Sequence, residues 1–267
     1  MVNKIRIIMP CGGAISDVDL TMESVVEVAK ALDYLEFIVY RVFNNGLSPS
    51  CCRSIENDDV KFFDLDINPV ASVALARNRA LDEIETQLDP TSVEHDFIIF
   101  LDSGDLLLDG LVREIPFYFP QADLLVGSTI VSTTKNEYKR RNVPLFLKHV
   151  VNPIYLGSAI IKTVPAISQR FVDGRREDWK FWLQVVSGEL TISRASACNY
   201  VYKVKSRGNH LHRKRKLLRH QFSFYRNYLG FSFLSSCGLL FSHYFLVSLI
   251  WGLILPFSKT KRDHNAS

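Results

Sequence analysis

Apolar runs rich in β-branched residues recur at residues 5–9, 37–42, 60–65, 97–101 and 124–131, each of a length that suits a buried strand. The segments between them carry apolar residues at helical spacing. Residues 22–32 put Val25, Val26, Ala29 and Leu32 on one face, with Thr21 or Asp19 as the cap. Residues 73–88 predict a second helix that stops before Asp89-Pro90, where proline's missing N–H and fixed φ end helices. Asn44-Asn45-Gly46 marks a turn directly after the second strand. Strands alternating with helices build βαβ units around a parallel sheet, so the expected class is α/β.

The pattern changes in the last third. Residues 177–186 predict a helix with apolar Trp179, Phe181, Trp182, Val185 and Val186 and an acidic first turn, which suits the helix dipole. A strand-like stretch over residues 190–204 follows, then the basic run Arg213-Lys214-Arg215-Lys216. Residues 228–257 contain no Lys, Arg, Asp or Glu, a run longer than the roughly 20 apolar residues of a spanning helix. Basic flanks on both sides favour a hairpin or an in-plane pair of helices, bent near residues 235–238, over a single crossing.

With 267 residues and 47% hydrophobic content the chain can bury one substantial core. Its net charge of +4 conceals an asymmetry: residues 1–198 hold 20 Lys and Arg against 27 Asp and Glu, while residues 199–267 hold 12 against Asp263 alone. Body and tail therefore face different partners. The tail's aromatic residues lie in the apolar run and not among the basic ones, which argues for a membrane surface and against nucleic acid. Five cysteines without a Cys-x-x-Cys pair fit neither a zinc site nor a disulfide framework and point to a reducing compartment. The first strand begins too soon for a signal peptide.

Three constellations carry chemistry. The apolar run Phe97-Ile98-Ile99-Phe100-Leu101 leads straight into Asp102-Ser103-Gly104-Asp105. Open α/β sheets bind ligands at the carboxyl ends of their strands, and hard divalent cations take carboxylate oxygens while keeping water and substrate phosphate as further ligands. Ala76-Arg77-Asn78-Arg79-Ala80 places arginines, whose planar fork suits phosphate oxygens, in the second helix. Glu177-Asp178-Trp179 sets a carboxylate pair beside an indole, an environment that raises a carboxyl pKa and suits Asp178 to work as a base. Gly12-Gly13 alone is no dinucleotide fingerprint, and no serine hydrolase motif is present.

In this order and spacing the pieces resemble the inverting family 2 glycosyltransferases over roughly residues 3–205. The strand ending Ile8-Met9-Pro10 is similar to that family's first nucleotide-binding strand, and Ala76-Arg77-Asn78-Arg79-Ala80-Leu81 to its Ala-Arg-Asn-x-Gly/Ala-Leu helix. Phe97 to Asp105 is similar to its strand and DxD-type metal motif, and Glu177-Asp178-Trp179-Lys180-Phe181-Trp182 to its Glu-Asp motif. The resemblance implies a single GT-A, Rossmann-like domain over residues 1–205 with a mixed, mainly parallel sheet, and the charge-free run with its basic flanks predicts a membrane-associating tail of apolar helices over residues 206–267.

It implies, too, transfer of a sugar with inversion from a nucleotide-diphosphate sugar, a UDP-sugar, to a lipid-linked glycan. The setting would be the cytoplasmic face of a bacterial inner membrane, in surface-polysaccharide assembly. Asp178 is then the catalytic base, Pro10, Asn44, Arg77 and Asp102 contact the nucleotide, and Asp105 with Asp102 holds Mg2+ or Mn2+. His210 or His212 is a further candidate metal ligand. Three positions depart from the family: Gly104 stands where an acid is usual, Asn44-Asn45-Gly46 replaces the acidic turn that reads the base, and Cys11-Gly12-Gly13 replaces Tyr-Asn after Pro10. Gly104 and Asn44 keep open a membrane-bound scaffold without catalysis. A sugar nucleotidyltransferase is the enzyme alternative, although it needs a glycine- and lysine-rich loop early in the chain.

Overall fold

The computed structural model describes residues 3–43, 47–52, 58–66, 72–89, 93–133, 137–140, 143–203 and 218–254. Asn44, His210, His212 and the basic run at residues 213–216 lie outside the described residues. The chain opens with β1 (Asn3–Cys11), α1 (Ile15–Ala31), β2 (Leu35–Phe43), β3 (Val60–Asp66) and α2 (Val73–Thr86). There follow β4 (Asp96–Phe100), a two-residue β5 (Leu106–Leu107), α3 (Ile115–Tyr118), β6 (Leu124–Ser132) and β7 (Glu137–Arg140). β8 (Ala159–Lys162), α4 (Thr163–Ile167), α5 (Glu177–Val185), β9 (Ile192–Lys203) and a long C-terminal helix, α6 (Phe233–Ile254), complete it. All five expected strands form, within two residues of the expected ends.

The strands make one sheet in the order β3-β2-β1-β4-β8-β6-β9-β5, with β7 on the side of β6. Among the described residues, β1–β2, β1–β4, β2–β3 and β6–β9 pair in parallel, whereas β4–β8, β6–β8, β6–β7 and β5–β9 pair antiparallel. The parallel pairings run over five to nine partners each and the antiparallel ones over two to four, so the sheet is mixed and mainly parallel, as expected. The antiparallel pairings come largely from β5, β7 and β8, two to four residues long, too short to leave a period in the sequence.

Strand side chains alternate between faces, and β1 and β4 use this to build two cores. Ile5, Ile7 and Met9 with Phe97, Ile99 and Leu101 pack toward α1, while Ile8 with Ile98 and Phe100 packs toward α2 and α5. Both faces are covered, which is why β4 is buried at every residue and reads as a continuous apolar run. A buried polar knot ties these strands together. Arg6 donates to both carboxylate oxygens of Asp96 and to Tyr40, and Thr163 donates to Asp96.

Helix α1 starts seven residues before the expected position, at Ile15, and Ala14 before it offers no side-chain cap. Thr21, read as a cap, lies inside the helix and is fully buried. Its Oγ1 accepts the Gly104 N–H at 2.8 Å and lies 2.7 Å from the Asp105 carbonyl oxygen. The residue that looked like a helix boundary therefore fastens the acidic turn. In α2 the cap is Ser72, whose Oγ accepts the Leu75 N–H at 3.3 Å.

The expectation of apolar membrane-associating helices fails. α6 runs through residues 235–238 without the bend a hairpin needs, and among the described residues no helix is long and apolar enough to cross a membrane. It packs instead on the body. Leu239 and Leu240 lie against a cluster of Trp179, Leu183, Phe224 and Tyr225, and His243 Nδ1 lies 2.7 Å from the Val150 carbonyl oxygen.

Candidate active site

At the end of β4 the chain makes a tight turn closed by the Asp105 N–H donating to the Asp102 carbonyl at 3.1 Å. Gly104 sits in it at φ +98°, a conformation L side chains rarely adopt. That backbone requirement accounts for glycine where the resembling family has an acid. The turn points Asp102 and Asp105 into a cleft of about 390 Å³ that α5 closes from the other side with Arg176, Glu177 and Asp178.

Arg77 on α2 organises the carboxylates. It is 2% exposed, lies over the Phe171 ring at 5.0 Å, donates through Nη2 to Asp102 Oδ1 at 2.6 Å and approaches Glu177 Oε1 at 3.6 Å. Its Nε and Nη1 make no hydrogen bond. One buried guanidinium thus faces the acids of both walls, with donors still to satisfy.

Asp178 accepts a hydrogen bond from Asn152 Nδ2 at Oδ2, 2.8 Å away. Burial pushes its carboxyl up, and the Trp179 backbone N–H, Arg77 and Arg176 offset that only in part. Glu177 is also raised, by burial and then by Asp178 beside it. The indole next in sequence is locked: Trp179 is fully buried, and its Nε1 donates to the Lys148 carbonyl at 2.7 Å. A side chain in direct sequence to the candidate base cannot swing.

Asp105 is 7% exposed and its Oδ1 accepts the Lys203 N–H at 3.1 Å, so it also fastens the end of β9. Asp102 and Asp105 supply hard oxygen donors, the type that suits Mg2+ or Mn2+ when a substrate diphosphate provides the remaining ligands. Among the described residues no group of three or more His, Cys, Asp or Glu could hold a metal alone. The donor set fits a cation shared with a diphosphate and does not make a closed protein site.

Of the residues singled out from sequence, Arg77, Asp102, Asp105 and Asp178 line this one cleft. Pro10 is buried at the end of β1, paired with Val42, and does not line it. Asn152, Tyr155, Arg176, Tyr200, Tyr202 and His243 line it too and were not foreseen as site residues. Tyr200 and Tyr202 share a face of β9 by strand alternation, a readable signal; Tyr202 and Tyr155 pair at 6.0 Å. Gly157 is required here, because a Cβ on it would meet the Tyr200 ring at 2.8 Å. A larger cavity, about 840 Å³, opens at the opposite end of the sheet around Asn3, His95 and Lys162, but none of the candidate residues lines it.

No family model matches the chain, and no curated protein matches it in sequence. Solved structures do match in fold. Residues 1–349 of S. aureus TarS in complex with UDP align at TM-score 0.56 and 14% identity, over 90% of this chain and 70% of that one. The same protein in complex with UDP-GlcNAc aligns at TM-score 0.56 and 14% identity over 96% and 76%. The mannosyltransferase PcManGT from Pyrobaculum calidifontis, in complex with GDP-Man and Mn2+, aligns at TM-score 0.58 and 15% identity over 88% and 69%. At such identities the likeness is one of architecture, and it carries one conclusion: the chain shares the fold of these two proteins.

Proposed function

We propose that this chain is an inverting glycosyltransferase that moves a sugar from a nucleotide-diphosphate sugar, a UDP-sugar, to a glycan hydroxyl. The single observation that carries the reading is the meeting of Asp102, Asp105 and Asp178 in one cleft at the strand ends, with Arg77 between the two walls. Proteins of the same fold hold UDP, UDP-GlcNAc or GDP-Man in their structures, which supports a nucleotide-sugar donor.

The chemistry divides between the two walls. The donor diphosphate lies toward Asp102 and Asp105, which would hold a divalent cation that neutralises charge on the leaving group. The Mn2+ in the mannosyltransferase structure supports that assignment. Asp178 takes the proton of the acceptor hydroxyl as its oxygen attacks the anomeric carbon, and the bond to the diphosphate oxygen breaks on the opposite face. The Asn152 amide donates to Oδ2 of Asp178 and holds the carboxylate in place for that transfer. Burial that raises this carboxyl makes it a stronger base.

The acceptor in this reading is a lipid-linked glycan at the cytoplasmic face of a bacterial membrane, in surface-polysaccharide assembly. Support comes from the charge of residues 199–267, 12 Lys and Arg against one acid, which suits an anionic leaflet. The test of function is product stereochemistry. Transfer from a UDP-sugar should give the anomer opposite to that of the donor, read by NMR coupling constants; a retained anomer would remove Asp178 from its role.

A further inference from the structure

A second cleft, of about 430 Å³, lies beside the candidate active site and is lined by Arg175, Lys180, His220, Ser223 and Asn227 with aromatic neighbours Phe224 and Tyr228. We propose that it binds a phosphate or diphosphate group carried by the acceptor, an inference that rests on the transferase reading. Every charged group lining it is a cation or a histidine, and none is acidic. Lys180 Nζ is held in place over the Tyr228 ring at 5.3 Å and donates to the Asp173 carbonyl at 3.2 Å, which leaves further ammonium protons for an anion. Ser223 Oγ accepts from Asn227 Nδ2 at 2.9 Å, so its own O–H is available to donate. A guanidinium, an ammonium and a hydroxyl line this one cleft, the donors that phosphate oxygens take.

The backbone ties this cleft to the first. Arg176 is the only non-glycine residue with positive φ among the described residues, at 63°. That conformation divides two consecutive arginines between two sites: Arg176 lines the cleft of Asp178, and Arg175 lines the cationic one. Backbone strain of this kind persists where the surrounding structure holds it. The first turn of α5 contributes to both clefts, Glu177 and Asp178 to one and Lys180 to the other. An acceptor whose reacting hydroxyl reaches Asp178 can therefore rest an anionic group against Arg175 and Lys180.

Two measurements on the full chain test this. In the first, transfer is compared between two short acceptors with the same sugar, one an alkyl diphosphate and one a neutral alkyl glycoside; a phosphodiester-linked acceptor forms a third arm and separates a polymer from a lipid source. The diphosphate or phosphodiester acceptor should show a KM at least about tenfold lower, in line with charge-assisted hydrogen bonds. The double variant Arg175→Gln, Lys180→Gln should lose that preference while nucleotide affinity and transfer to the neutral acceptor stay as in wild type. Equal KM values for charged and neutral acceptors, or a preference that survives the double variant, would overturn the proposal. In the second, inorganic pyrophosphate is titrated into protein saturated with UDP, and affinity should drop at least about tenfold in the double variant. Pyrophosphate binding that depends on Arg175 and Lys180 in a chain that turns over no donor would keep the cleft and remove the transferase reading, whereas unchanged affinity would remove the cleft alone.

Discussion

Asn152 Nδ2 and Asp178 Oδ2 stand 2.8 Å apart, a hydrogen bond between the loop that precedes β8 and the first turn of α5. It fixes one oxygen of a raised carboxyl that lines the cleft. Asn152→Ala should lower kcat about tenfold or more with little change in nucleotide affinity, because a misplaced base loses catalytic geometry and not donor contacts. Steady-state kinetics with nucleotide titration would check this, and an unchanged kcat would make the contact structural only.

Asp178→Asn should reduce transfer about a hundredfold or more. Folding raises the Asp178 carboxyl, so the folded chain retains a proton there that the unfolded chain releases. The site therefore contributes stability below the ordinary aspartate range and loses it as pH rises through the raised value. At pH 7 the asparagine variant should melt at or above the wild-type temperature while being inactive. The acid limb of wild-type kcat/KM should likewise lie above the usual aspartate range. A variant that melts well below wild type at pH 7 would contradict the burial argument.

Arg77→Ala should cost about 1.5–3 kcal/mol in urea denaturation, because it removes the buried cation that faces Glu177 and the partly exposed Asp102, which water can in part solvate. Arg77→Lys keeps charge but not the fork over Phe171 and should recover only part of the loss. A loss under about 1 kcal/mol for the alanine variant would mean that water replaces the guanidinium.

Asp105→Ala should weaken nucleotide binding only when Mg2+ or Mn2+ is present, measured by calorimetry with and without a chelator. Wild-type affinity that ignores metal would end the cation assignment.

Sequence alone singled out residues that line the cleft where physics leaves a strong local mark. β4 is sealed on both faces and so is apolar throughout, and the acids that follow it stand out. The Glu177-Asp178 pair opens a helix that has an unmistakable apolar face. Asn152 and Tyr155 left no such mark, because they lie in an aperiodic stretch that earns its place only through long-range contacts. His243 was hidden in a charge-free run that looked like membrane helix, whereas its ring stacks on Trp179 at 6.2 Å and borders the cleft. The start of α1 was invisible for a simpler reason: Ala14 caps nothing, and Thr21 spends its hydroxyl on the acidic turn.

The most direct test of the central claim is release of nucleoside diphosphate from a panel of nucleotide sugars, with Mn2+ and an acceptor glycan present, by wild type and by Asp178→Asn. The account predicts release from at least one donor by wild type, and loss of release in the variant with nucleotide affinity retained. No binding of any nucleotide sugar by wild type, or equal release by the variant, would contradict it.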